Sequence, residues 1–225
     1  MFDLVALMPM RHNSVRVSGK NYREFGGNTP LFFYMAEKLI KCDQIDKVVI
    51  DTDSPVIKEL CKLNFPEIVL IDRPKNLLDE SCPMNDILLH DIGEVPSKFY
   101  IQTHSTNPLL SLSTLNQALN VFKSNLPIYD SLFSVTKQQT RFWDSLARPI
   151  NHNSNILMRT QDLPPIYEEN SCIYIFEKEC LINNRNRIGK RPFLFEIDKL
   201  EAIDIDTEID FLLAEKIYEL KKQEL

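Results

Sequence analysis

Lys47-Val48-Val49-Ile50-Asp51-Thr52-Asp53-Ser54-Pro55-Val56-Ile57-Lys58-Glu59-Leu60-Cys61-Lys62-Leu63, closed by Glu67-Ile68-Val69-Leu70-Ile71-Asp72, decides how the chain is to be read. Residues 47–51 are a short apolar run ending on an acid, the pattern of a buried strand. Ser54-Pro55 marks a helix start, because a serine side chain can accept from the first-turn amides and proline lacks only an N–H that the first turn cannot use. A helical pattern follows, and residues 67–72 return to an apolar strand.

The same alternation extends outward on both sides. Residues 4–10 are an apolar first strand, and Thr29-Pro30 predicts an N-cap and first position for a helix over 31–41, with Leu31, Met35 and Leu39 on one face. A helix is expected over 86–92 and a fourth strand over 98–104. Strands alternating with helices through the first 110 residues or so predict an α/β, Rossmann-like sandwich around a mainly parallel sheet. Strands at 132–137 and 172–178 and a last helix at 207–221 follow. The irregular region 138–170 is rich in Pro, Asn and Arg, and long irregular segments are usually functional loops, arms or interfaces. The reading is one domain, 1–225, with 138–195 as a candidate dimerisation or substrate arm.

The 225 residues carry a net charge of -6, which disfavours general nucleic-acid binding because phosphate neutralisation needs clustered Lys and Arg. The five cysteines, Cys42, Cys61, Cys82, Cys172 and Cys180, are odd in number and include no CxxC pair. Neither a disulfide framework nor a thiol-rich zinc site is expected, and reduced thiols fit a cytoplasmic location. The apolar start is too short to cross a bilayer and lacks a basic leader, so no membrane partner is expected.

Ligands of open α/β sheets bind beyond the carboxyl ends of the strands. Residues 11–21 leave the first strand at that end, with Arg11, Arg16 and Lys20 among Ser14, Ser18 and Gly19. Such a loop can surround a polyphosphate, or it can be a solvated basic loop; it matches neither GxxxxGK[ST] nor GxGxxG. Near the other end, Asp204 and Asp206 are two apart, so an extended segment points both carboxylates to one side with Ile203 and Ile205 behind. Hard oxygen ligands of this kind suit Mg²⁺, while the competing reading is that Asp206 or Thr207 caps the last helix.

Pro9, Arg11, Ser14, Arg16 and Gly19-Lys20-Asn21 resemble the N-terminal signature of the acylneuraminate cytidylyltransferase family, the CMP-sialic acid synthetases and their relatives. The usual pattern there is Pro-Ala-Arg-Gly-Gly-Ser-Lys-Arg-Ile-Pro-Gly-Lys-Asn. Here His12-Asn13 replaces the glycine pair, Val15 a lysine and Ser18 a proline, which restricts backbone approach to phosphate and removes one cation. The resemblance continues through Asp51-Thr52-Asp53-Ser54, Arg73-Pro74, Thr106-Asn107-Pro108-Leu109, Ile173-Tyr174-Ile175 and Ile203-Asp204-Ile205-Asp206. In that register His104 takes the place of a base-reading Gln; anchoring on Gln102 instead lengthens the next segment by two residues.

The resemblance implies attack of a sugar acid's anomeric hydroxyl on the α-phosphorus of CTP, giving a CMP-sugar and pyrophosphate. Arg11, Ser14, Arg16, Asn21, Arg73, His104 and Asn107 would contact the nucleotide. Arg11, Lys20 and Asp206 would serve the chemistry, and Asp204 and Asp206 would hold Mg²⁺. Arg159, Gln161 and Tyr167 resemble the substrate-facing region. Arg159 is then a candidate for the sugar carboxylate, although a surface arginine and a core tyrosine are the plain alternatives. No general base is evident. A homodimer with 138–195 reaching across is implied. A KDO-type acid or a non-catalytic nucleotide-binding role remain as the competing readings.

Overall fold

Residues 2–223 are described by the computed structural model. In chain order they form β1 (Phe2–Leu7), a short ribbon of β2 (Glu24–Phe25) and β3 (Thr29–Pro30), then α1 (Leu31–Lys41), β4 (Lys47–Thr52), α2 (Pro55–Asn64), β5 (Val69–Asp72), α3 (Met84–Glu94) and β6 (Ser97–Thr103). There follow α4 (Leu112–Ser124), β7 (Ser131–Gln138), β8 (Ile166–Glu177), α5 (Lys178–Asn184), β9 (Pro192–Glu196) and α6 (Glu208–Gln223). Seven strands make one sheet in the order β5-β4-β1-β6-β8-β7-β9. β8 runs antiparallel to both β6 and β7, and the remaining pairings are parallel. The mainly parallel α/β sheet expected from the alternation is therefore present.

Strand geometry divides the core. Leu4, Ala6 and Met8 face one side, where Met35 and Leu39 of α1, Ile57 of α2 and Leu119 and Phe122 of α4 cover them. Val5 and Leu7 face the other, against Leu88 and Ile92 of α3 and Leu181 of α5. A sheet buried on both faces needs apolar residues at consecutive positions, which is why its strands read as runs.

The predicted face Leu31, Met35 and Leu39 is fully buried and α1 spans 31–41 as expected, but its cap differs: Pro30, not Thr29, is the N-cap, without a side-chain cap bond, and Thr29–Pro30 belongs to the ribbon. Ser54 caps α2 as expected, its hydroxyl accepting from Ile57 N at 3.2 Å. The structure adds α4, α5 and β9, for which the sequence reading made no assignment, and extends the strand expected at 172–178 back to Ile166. β7 and β8 form a long hairpin whose last pair is Gln138↔Ile166, so the irregular arm proper begins beyond that pair. Asn151 staples the arm, its side chain reaching Thr140 O, Pro164 O and Phe142 N at 2.7, 3.1 and 2.9 Å. Among the described residues, no helix is long and apolar enough to cross a membrane, and all five cysteines are free thiols.

A third apolar cluster joins Val17, Phe25, Leu31, Leu109, Ile205, Phe211 and Ala214, and so fastens α6 and residue 205 to the loop after β1. Phe211 meets Phe25 edge-on at 5.6 Å, with Arg23 over its face at 4.2 Å. Phe211→Ala is expected to lower the unfolding free energy by about 3 kcal/mol, read from urea denaturation. An unchanged midpoint would show that α6 does not depend on this cluster.

Candidate functional site

The sheet order turns at β1, which has β4 on one side and β6 on the other, so a crevice opens between the carboxyl ends of β1 and β6. A cleft of about 510 Å³ lies there, and its walls include Arg11, Ser14, Arg16, Lys20, Asn21, Arg73, His104, Asp204 and Asp206. The loop after β1 thus meets the loop after β6, the start of the loop after β5 and residues 204–206. Of the sequence-predicted residues, nine reach this cleft and four do not.

The loop after β1 is pinned. The backbone N–H of His12 donates to Asp53 Oδ1 at 2.7 Å, its ring meets Ser54 Oγ at 2.8 Å, and the ring stacks on Tyr22 with centroids 5.4 Å apart. Gly19 turns the chain with φ 61°, and a Cβ there would lie 2.9 Å from the Tyr22 ring, so a side chain would meet both strain and a clash. Asn21 donates to Arg11 O at 2.9 Å and accepts from Ser105 Oγ at 2.8 Å, bracing the loops after β1 and β6 against each other.

Residues 203–206 are docked on the loop after β6, since Ile205 N donates to Thr106 O at 3.0 Å and Asn107 Nδ2 to Ile203 O at 3.3 Å. Ile205 is buried, and the carboxylates on either side of it face the cleft. Lys20 donates to Ile205 O and lies 3.7 Å from Asp206 Oδ1, which also accepts from Arg16 at 2.7 Å. Capping of α6 falls to other residues: Thr207 Oγ1 accepts from Asp210 N at 3.3 Å, and Asp210 Oδ2 accepts from Thr207 N at 2.7 Å, a reciprocal box. The Asp206 carboxylate is thereby left for the cleft, and Thr207 takes the capping role. Asp204 Oδ1 is buried with no hydrogen-bond partner. Burial, with Asp206 nearby, holds the Asp204 carboxyl above the usual range, while Thr106 and Lys20 act in the opposite direction. Burial also lowers the Lys20 ammonium, against the pull of Asp204 and Asp206. An orphaned carboxylate oxygen next to a second carboxylate is an oxygen donor set of the kind a hard divalent cation takes.

Arg73 is buried, bonded through Nε to Asp51 Oδ1 and through Nη2 to Asp51 O at 3.4 Å. Beneath it, Asp51, His90 and Asp91 form a trio close enough to share an ion. The Arg73 guanidinium already neutralises Asp51, which disfavours a cation there. A proton held between the carboxyls of Asp51 and Asp91 instead accounts for their otherwise unpartnered Oδ2 atoms. Burial, then Asp51, raises the Asp91 carboxyl to about 9.

On the opposite wall, His104 is held neutral. Burial, then Arg187 and Lys20, push its pKa down to about 3. Gln102 fixes the tautomer: its Oε1 accepts from Arg187, so its amide nitrogen donates to Thr103 O at 3.0 Å and to His104 Nε2 at 2.9 Å. His104 then carries its proton on Nδ1. Gln102, the alternative anchor, is fully buried behind the cleft. Ser171 and Arg187 complete this wall and were not singled out in the sequence. Ser171 sits at φ 60° where the β7–β8 register is irregular. Arg187 follows α5 in a stretch of Asn and Arg that gives no signal of burial.

Four expected residues lie elsewhere. Asn107 is fully buried and positions residue 203 from behind instead of lining the cleft. Arg159 is exposed on the arm and holds Asp162 through Nε at 2.7 Å and Nη2 at 3.2 Å. The Gln161 carbonyl accepts from Gln139 at 2.7 Å, and Tyr167 stands exposed on β8 opposite Lys137. None of these three meets the cleft of its own chain, because the hairpin carries them away from it.

The Asp51–Asp91 pair predicts a pH dependence. The folded chain keeps a proton that an unfolded aspartate releases near pH 4, so this stability is full below about pH 4 and is lost as pH rises toward about 9. Asp91→Asn supplies a neutral donor and is expected to flatten the fall in Tm between pH 5 and pH 9. Parallel Tm curves for the two proteins would dismiss the shared proton.

A family description, Cytidylyltransferase, matches residues 5–224. The flagellin modification protein B of Campylobacter coli is 25% identical over 226 residues, 96% of this chain and 94% of that protein. The CMP-N,N'-diacetyllegionaminic acid synthase of Legionella pneumophila is 27% identical over 241 residues, 99% of both chains. The N-acylneuraminate cytidylyltransferase of Streptococcus agalactiae is 22% identical over 92% of this chain, which spans 51% of that protein's length. In fold, the chain is similar to a CMP:2-keto-3-deoxy-manno-octonic acid synthetase solved with CTP, with a TM-score of 0.71 at 15% identity over 99% of this chain and 100% of the other. With a match that runs almost from end to end, and the cleft where such a sheet binds its ligand, the chain belongs to the cytidylyltransferase family.

Proposed function

We propose that the chain joins a sugar acid of the sialic or legionaminic type to CMP, using CTP and releasing pyrophosphate. The observation that carries this reading is the meeting of Arg16 and Lys20 with Asp204 and Asp206 in the cleft at the sheet's turning point. Cations that are already paired with carboxylates can be handed to a triphosphate, and the carboxylates then become free for a cation of their own. The name of the Legionella pneumophila relative, which this chain matches over 99% of both lengths, favours a nonulosonic acid as acceptor.

In this reading Arg11, Arg16 and Lys20 surround the phosphates, with Ser14 as a further hydrogen-bonding group and Asn21 holding the loop's shape. Lys20 and Arg11 offset the charge that develops as the sugar's anomeric oxygen bonds to the α-phosphorus and the bond to pyrophosphate breaks. Arg73, fixed by Asp51, borders the nucleotide. His104 offers its Nδ1 proton where nucleotide and acceptor meet. Asp204 and Asp206 would hold Mg²⁺, which when bound polarises the phosphate oxygens. The five free thiols fit a reducing compartment, so we place the protein in the cytoplasm.

The arm suits a homodimer. Trp143 is 50% exposed, Leu157 is 91% exposed, and Leu146, Ile150 and Ile156 are exposed near them. Packing this surface on a second copy would take Arg159, Gln161 and Tyr167 toward the partner's cleft. Light scattering at micromolar concentration is expected to give a dimer for the native chain and a monomer for Leu157→Asp; a native monomer would end the arm proposal.

The reaction is tested by pyrophosphate release from CTP and Mg²⁺ with a panel of sugar acids. Release with one acid is expected, falling by about 100-fold or more in Lys20→Ala and Asp206→Ala. Absence of release together with absence of any CTP-dependent rise in Tm would favour a non-catalytic member of the family.

A further inference from the structure

We infer that Arg187 receives the carboxylate of the sugar acid and thereby makes the cleft selective for an acid over a neutral sugar. This assignment rests on the reaction proposed above. The Arg187 guanidinium lies 3.5 Å from the centroid of the Tyr174 ring and donates one N–H to Gln102 Oε1, in the wall that also presents Ser171 and His104. Among the described residues it has no carboxylate within ion-pair distance. Glu169, whose charge also acts on it, is bonded to the Tyr174 hydroxyl instead. Partial burial lowers the pKa of its guanidinium, against the pull of Tyr174 and Glu169, as expected for a cation partly withdrawn from water without a counter-ion.

The other cations of the cleft differ. Arg16 and Lys20 face Asp206, Arg73 faces Asp51, and Arg11 stands on the loop assigned to phosphate. A half-buried cation without a counter-ion is disfavoured unless a ligand supplies the anion. Cytosine and ribose carry no charge, and the triphosphate is met by the loop after β1, which leaves the acceptor's carboxylate as the anion without a partner. The Arg73 wall cannot serve it, since Asp79 and Glu80 line that side and would repel it. Tyr174 and Gln102 hold the guanidinium plane in place while several of its five N–H groups stay available, a pre-organised fork for a bidentate carboxylate.

The test uses the full chain and its Arg187→Gln and Arg187→Lys variants. Pyrophosphate release from CTP is measured with N-acetylneuraminic acid, N,N'-diacetyllegionaminic acid and 2-keto-3-deoxy-manno-octonic acid, each also as its methyl ester. For the acid that the native chain accepts, Arg187→Gln is expected to raise the KM for that acid by about 10- to 100-fold and leave the KM for CTP unchanged. Its preference for acid over ester should vanish, and Arg187→Lys, which keeps the charge but not the fork, should fall between the two and remain readable if the glutamine variant does not fold. Retained preference for the acid, or an equal rise in the KM for CTP, would overturn the assignment while leaving the proposed reaction standing. A native chain that turns over none of the acids would overturn the reaction itself, and the assignment with it.

Discussion

The Lys20 ammonium, held between the Ile205 carbonyl and the Asp206 carboxylate, ties together two parts of the chain that are 185 residues apart in sequence. Both ends of this tether are anchored by burial: Val17 and Ile205 sit in one apolar cluster with Phe25 and Phe211. The cleft is therefore not a groove left between finished elements. It exists only when the first crossover and the last helix have both docked, and its cationic and anionic halves arrive from opposite ends of the chain.

Charge in the cleft is arranged in three ways. On the loop after β1, cations meet carboxylates at partly exposed positions, where water and ligands can compete for either partner. Under the neighbouring wall, Arg73 and Asp51 are fully withdrawn from water, and Asp91 completes the balance as a neutral acid, so this unit is a fixed scaffold. On the far wall a neutral histidine stands beside a cation that has an aromatic face and an amide for company but no anion. The exchangeable, the fixed and the incomplete arrangement are set apart by burial and by the elements that supply the second partner.

The sequence made most of the sheet legible because a strand buried on both faces must be apolar at every position. It was less informative at the margin: among the described residues β9 pairs with β7 alone and is half exposed, and the apolar stretch Phe193-Leu194-Phe195 is too short to distinguish a strand from other buried segments. α4 carries a capping serine, Ser111, and an apolar stripe through Leu115, Leu119 and Phe122, yet polar residues between them obscure the pattern. In the site, the spacing of Asp204 and Asp206 was readable because it needs only local geometry. The choice between capping and the cleft was also readable in principle, since Thr207 and Asp210 form a recognisable box. Arg187 was not readable. It is half-buried against Tyr174 of β8 and Gln102 of β6, far from it in sequence, and nothing in its own neighbourhood announces that. The arm residues Arg159, Gln161 and Tyr167 were placed by resemblance, and a single chain holds them away from its own cleft.

The pinned loop after β1 also bears on how the cleft responds to its surroundings. In a glycine-rich loop, backbone N–H groups can turn toward phosphate, and short-range dipoles of that kind are little affected by dissolved salt. Here the His12 N–H is engaged by Asp53, and its ring is locked between Ser54 and Tyr22. Attraction for a polyphosphate then rests mainly on the full charges of Arg11, Arg16 and Lys20, none of them fully buried. Such charges are screened within a Debye length of about 8 Å at physiological ionic strength. A loop built this way gives up some adaptability for stiffness, and it leaves nucleotide affinity more sensitive to ionic strength than a backbone cradle would.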